Sequence, residues 1–334
     1  MSKRLLLALA LLAAAPSSAW AWGASGHRII GRLGIETLPP QVPAFVRKQA
    51  VVDQVGELAR EPDRAKDAGQ PHDADLFPEH FVDIDDDLKV FGGPLITAMP
   101  RDRTDFETAM RAAGSNAAKA GTLYYAMIEG WQRLAHDFAL WRALKVGEKS
   151  GKTRRERAWF AADRRLREAI IIHDIGFWAH FVGDGSQPLH ASSHYNGWGA
   201  YPNPKGFTND KIHFPFESEF APAHSSDASV RAVMPAPAPC APPIQACVVR
   251  YLTATQAQVE PLYSLWGEGA FARADPRAVA FTNERMAAGA AMLRDLIAQA
   301  WAASADGTVG YPSLKLKDVE ASGQAPFENF YGKD

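Results

Sequence analysis

Eight side chains of two chemical kinds fall into a pattern along this sequence: the histidines His27, His80, His180, His190 and His213, and the carboxylates Asp63, Asp184 and Glu217. The densest run is His180-Phe-Val-Gly-Asp184-Gly-Ser-Gln-Pro-Leu-His190. In a helix His180 and Asp184 stand one turn apart on one face. Pro188 then turns the chain, and His190 returns a second imidazole to the same place. His213-Phe-Pro-Phe-Glu217 repeats the four-residue step, with Pro215 suited to the first turn of a short helix. Alone, His180 reads as a core histidine beside Phe177, Trp178 and Phe181. An acid and two imidazoles within eleven residues instead need charged or metal partners to offset their desolvation. Imidazole with carboxylate is the donor set zinc takes where it keeps an open position for water.

The start of the chain bears on the same chemistry. Lys3 and Arg4 followed by an apolar run from Leu5 to Ala15, with Ala19-Trp20-Ala21 as a small-x-small cleavage site, read as a secretory signal over residues 1–21. The run is too short to span a bilayer, and no later segment is long and apolar enough. The expected product, residues 22–334, is therefore periplasmic or secreted and begins Trp22-Gly-Ala-Ser-Gly-His27. A freed α-amino group at Trp22 titrates near neutrality (pKa about 8) and, with its own carbonyl, can chelate a metal.

Removing Lys3 and Arg4 moves the formal charge from −2 to −4. That is not the basic footprint of a module gripping duplex DNA through its phosphates. It leaves room for an enzyme on phosphodiesters, since a metal centre supplies positive charge locally. The two cysteines, Cys240 and Cys247, sit in a proline-rich stretch and read as one local disulfide of an exported chain. So short a loop gains about 2–3 kcal/mol; it pins a loop and does not hold the fold.

Helical periodicity dominates what must position these residues. Thr104-Asp-Phe-Glu107 reads as a capping box opening a helix toward Ala113. Leu123–Leu144 and Arg154–Val182 carry apolar residues at three- and four-residue steps. Asn283–Trp301 places Met286, Ala290, Leu293 and Ile297 on one stripe. The stretch 183–248 is rich in Gly, Pro, Asn and Ser and reads as a long functional loop. The fold class expected is all-α, one compact helical domain with long loops.

Trp22, His27, Asp63, His80, His180-x3-Asp184, His190 and His213-x3-Glu217, in this order, resemble the zinc-dependent phospholipase C and S-one/P-one nuclease superfamily. The resemblance implies an all-α fold around three zinc ions. Asp63, His80, His180 and Asp184 would hold one; His190, His213 and Glu217 a second; the backbone of Trp22, with His27 and Asp184, the third. It also implies hydrolysis of a phosphate ester by a metal-activated hydroxide, with Asp63 orienting or deprotonating the water. Lys66 stands where the nucleases carry a phosphate-contacting arginine, and a lysine there acts as a point charge.

Trp22-Gly-x-x-Gly-His27 and His80-Phe-Val-Asp83 match the nuclease branch, whereas Glu217 matches the phospholipases. Phe91–Gly147, within the long interval from His80 to His180, has no assigned part. A nuclease of single-stranded DNA or RNA, with or without 3′-nucleotidase activity, is the first reading. Tyr195, Trp198 and Tyr201, between two ligands, would then stack on bases. A phospholipase C is the alternative, supported by Phe214, Phe216 and Phe220. An exported zinc-binding protein without catalysis is the third. No protein partner is implied. His72, His136, His173, His194 and His224 read as surface or core residues.

Overall fold

The computed structural model describes residues 22–332, and the segment expected to be a signal, residues 1–21, lies outside them. The fold is all-α. Among the described residues the only sheet pairs Thr308–Val309 with Leu314–Lys315 antiparallel, Thr308 opposite Lys315.

Two long helices, Leu123–Ser150 and Arg154–Asp184, form a hairpin around Gly151. The second starts where the Thr153 hydroxyl accepts the Glu156 N–H, a satisfied N-terminal donor. Close approach within the hairpin depends on residues without a side chain: a Cβ at Gly130 would lie 2.1 Å from the Trp178 ring. The Gly23–Glu36 helix packs against Gln49–Leu58, Arg154–Asp184 and Pro276–Ala303. The predicted stripe of Met286, Ala290, Leu293 and Ile297 is fully buried. Leu293 presses on the first helix at Gly34, where a Cβ would meet its Cδ2 at 2.6 Å. Overpacking of that kind costs about 1–3 kcal/mol.

Buried apolar side chains gather in three clusters. The largest joins the hairpin to the Gln49–Leu58 helix through Val55, Phe138, Ile171 and Ile175. A second, around Trp22, Ile30, Phe216, Tyr263 and Met286, underlies the loop region. The third seats the C-terminal hairpin and helices on Phe160.

Several boundaries differ from expectation. The helix read from Thr104 runs Arg103–Ala112 and is capped by Asp102, whose side chain accepts the Asp105 N–H. The stretch 183–248 is not one loop: it holds a 3-10 turn at Pro188–His190, a π-helical turn at Pro215–Phe220, helices Ala221–His224 and Asp227–Ala232, and the start of Ile244–Gln256. The unassigned interval supplies the Arg103–Ala112 and Ala117–Ala120 helices and most of Leu123–Ser150. Cys240 and Cys247 are joined by a disulfide with a Cα–Cα distance of 5.7 Å, a bond that persists in oxidising compartments. No described helix is long and apolar enough to cross a membrane.

Candidate metal centre

His180 and Asp184 lie at the end of the Arg154–Asp184 helix, both fully buried. The His180 Nδ1–H donates to the Ala59 carbonyl at 2.8 Å, so Nε2 carries the lone pair. That Nε2 is 2.8 Å from His80 Nδ1, 3.3 Å from Asp184 Oδ2 and 3.8 Å from Asp63 Oδ1. His80 Nδ1 lies 3.2 Å from the same Asp184 oxygen. Asp63 reaches this group from the short helix Glu61–Arg64, started by Pro62.

His80 is placed by backbone. It ends the 3-10 turn Phe77–His80. The next residues run extended: Leu123 N–H donates to the Phe81 carbonyl and Asp83 N–H to the Ala120 carbonyl. Gly121 makes this approach possible. Its φ is +83°, and a Cβ there would lie 2.1 Å from the Phe81 oxygen.

A second group forms from the loop region. The Gln187 side chain accepts the Leu189 N–H at 2.7 Å and caps the turn that ends at His190. His190 Nδ1–H donates to the His80 carbonyl at 2.6 Å, while Val82 N–H donates to the His190 carbonyl at 2.9 Å. His213 Nδ1–H donates to the Tyr195 carbonyl at 2.9 Å. Both imidazoles thus aim Nε2 inward, 3.0 Å apart. Glu217 Oε2 completes a triangle, 2.9 Å from His213 Nε2 and 3.5 Å from His190 Nε2.

Third, His27 Nε2 lies 3.4 Å from Asp184 Oδ1, and its ring stacks on His180 at 3.8 Å. The two oxygens of Asp184 therefore serve different neighbours, Oδ1 toward His27 and Oδ2 toward His80 and His180. Trp22 is buried, and its indole N–H lies 3.0 Å from both the Gly183 carbonyl and the Ser186 hydroxyl.

These residues fit divalent metal ions. The His190 and His213 lone pairs, which face each other at 3.0 Å, repel unless a cation lies between them. With zinc–nitrogen bonds of 2.0–2.1 Å, the edge of a tetrahedral site is about 3.3 Å, close to the triangle edges seen here. Buried acceptors point the same way: Asp63 Oδ2, Asp184 Oδ1 and Glu217 Oε1 have no hydrogen-bond partner. Three buried groups can each hold an ion: His27, His180 and Asp184; Asp63, His80 and His180; His190, His213 and Glu217.

The electrostatics agree. Burial holds His80, His180 and His190 below the usual imidazole range, in the neutral form a metal takes. Burial also pushes Asp184 well up, with the Asp63 charge adding to it; a bound cation removes that cost. Burial pushes on Glu217 too, but positive charge on the His213 and His190 imidazoles outweighs it and brings Glu217 down to about 2, a part that a bound cation takes over once the imidazoles are neutral.

A cavity of about 200 Å³ opens on His80, His190 and His213. Lys66 lies at its edge with Nζ 2.5 Å from Asp63 Oδ1 and 5.9 Å from the centre of the Phe77 ring. Of the three aromatics expected to stack on bases, only Tyr195, half exposed, lines this cavity. Trp198 is 3% exposed: it stacks on His194 at 3.7 Å and donates to the Pro202 carbonyl. Tyr201 packs edge-on against His194 and joins the second core cluster. Both are spent on packing.

Phe216 and Phe220 are likewise buried, leaving Phe214 as the exposed ring of that turn. Residues the sequence reading passed over are Gln187, whose Nε2–H donates to Glu217 Oε2 at 3.0 Å, and Phe77, Asp83, Lys119 and Asn196 of the cavity wall. Gln187 was signalled only by its place between Asp184 and His190. His194 proves a core residue, bonded to Asp86 and the Trp198 carbonyl.

No protein-family model matches the chain, and no curated protein sequence matches it.

Proposed function

We propose that this chain is an exported zinc-dependent phosphodiesterase of the superfamily its motif resembles, cleaving single-stranded nucleic acid. The observation that carries the reading is a buried set of imidazoles and carboxylates of which three members, His80, His190 and His213, line an open cavity. Structural zinc sites are closed, whereas catalytic ones keep a position open, which speaks against a purely binding role. Zinc held there supplies a nucleophilic hydroxide at neutral pH and stabilises charge on phosphate.

The protein's own groups then have assignable tasks. Asp63, whose Oδ2 is buried without a hydrogen-bond partner, is assigned the task of orienting or accepting the proton of an attacking water. Lys66 sets a point charge beside a bound phosphate. Phe77, Phe81 and Tyr195 offer rings, and Asp83 and Asn196 offer hydrogen-bonding groups, on the walls of the same cavity. A flat base with polar edges suits that lining. The phospholipase alternative keeps Glu217 and Phe214 in its favour but loses Phe216 and Phe220 to the core.

Protein cut before Trp22 should be assayed in parallel on single-stranded DNA, RNA and phosphatidylcholine, with elemental analysis. Strand cleavage that chelator abolishes and zinc restores, with close to three ions bound, is expected. Lipid turnover without strand cleavage refutes the substrate; absence of bound metal refutes the chemistry.

A further inference from the structure

Two lysines border the cavity, and they are not equivalent. Lys66 is 12% exposed and sits against the Asp63 carboxylate, so much of its charge is spent on that buried acid. Lys119 also lines the cavity and is exposed, and among the described residues no carboxylate forms an ion pair with it. It is not on a floppy segment. The Ala117–Ala120 helix is capped by Asn116, whose side-chain oxygen accepts Lys119's own N–H at 2.9 Å. The Ala120 carbonyl accepts from Asp83, and Gly121 abuts Phe81. The backbone that carries Lys119 is therefore fixed to the same extended stretch, residues 81–83, that walls the cavity and follows His80.

An unspent cation at a fixed place on the rim constrains what enters. A zwitterionic head group ending in a quaternary ammonium meets like charge there. A nucleic-acid strand instead brings a further phosphate beyond the one being cleaved. We infer that Lys119 binds a phosphate next to the scissile one, so that the site selects polynucleotide chains over mononucleotides and over choline lipids. This inference rests on the nuclease reading.

The test compares wild type, Lys119→Ala and Lys119→Arg, each loaded with zinc, on an oligothymidylate and on a small activated thymidine phosphodiester with no second phosphate. The quantity read is the ratio of kcat/KM for the two substrates within one preparation, which does not depend on the fraction of active protein. In Lys119→Ala that ratio should fall about tenfold, the size of one charge-assisted contact, through KM for the strand. The slope of log KM against log salt should shrink by about 0.7, as for one phosphate contact on a single strand. Lys119→Arg should keep both. An unchanged ratio and salt slope in Lys119→Ala, with wild type cleaving strands, overturns this inference alone. Wild type that cleaves the small diester but no strand overturns the nuclease reading with it.

Discussion

Replacing Gln187 by leucine tests whether the loop-region group is a metal site tuned from behind. Gln187 is fully buried. Its oxygen accepts from Leu189 at 2.7 Å, which fixes the amide and leaves Nε2–H to donate to Glu217 Oε2 at 3.0 Å. That oxygen is the one facing His213 and His190. Leucine fills similar space but holds nothing. A hydrogen bond to an ionised group contributes about 1.5–3 kcal/mol, and loss of a partner behind a metal ligand typically weakens binding 10–100-fold. The two figures agree, since tenfold is about 1.4 kcal/mol. Titration of the metal-free protein against a chromophoric chelator should show one class of ion weakened by that factor and the others unmoved. The fold should lose about 1 kcal/mol, from the orphaned Leu189 N–H, read separately by urea denaturation. All classes of ion binding as in wild type would refute the assignment of Glu217 as a ligand held by Gln187.

Asp184→Ala should empty two metal positions at once, because Oδ1 faces His27 and Oδ2 faces His80 and His180; elemental analysis showing one ion lost would refute the bridge. Gly121→Ala should cost more than about 2 kcal/mol, given the positive φ and the 2.1 Å approach to the Phe81 oxygen, and a denaturation midpoint matching wild type would count against it. In chelator, the melting temperature should fall as pH drops from 7.5 to 5. Buried His80, His180 and His190 stay neutral in the fold, while the unfolded chain takes up their protons below about 6.5. Burial pushes Asp184 and Asp83 well up and Glu79 and Asp137 up as well, and these acids oppose the trend, so a midpoint that rises on acidification would refute the dominance of the three histidines.

Part of the candidate site, His180 with Asp184 and His190 and His213 with Glu217, was legible because its pattern is local, whereas Asp63 and His80 entered through the family resemblance. Helical spacing alone puts His180 beside Asp184, and the proline turn after them is written in the run itself. Helices with long apolar stripes were legible for the same reason, as with Met286 to Ile297. What failed depends on partners distant in sequence. Trp198 stands in a glycine-rich stretch that looks exposed, yet Tyr263 on the Val259–Gly267 helix and the His194 ring cover it. Asp102 displaced Thr104 as a helix cap because its carboxylate reaches the Asp105 N–H, a competition that motif spacing does not decide. The turns within 183–248 are too short to show a period. Gln187 carries no signal of its own, since a buried amide and a surface amide are spelled alike.

The paired hydrogen bonds between the His80–Val82 backbone and His190 also bear on how the ions enter. One imidazole hangs its ring from the carbonyl of the very residue that contributes the other group's ligand. A shift of the His80 backbone on binding an ion would move the acceptor that aims His190, and a shift of His190 would act on the Val82 N–H in return. Such cooperativity is reciprocal by thermodynamic necessity: whatever factor the first ion lends the second, the second returns. Occupancy of one group is then felt at the other through a single strip of backbone, and the ions retained after partial chelation read the size of that coupling.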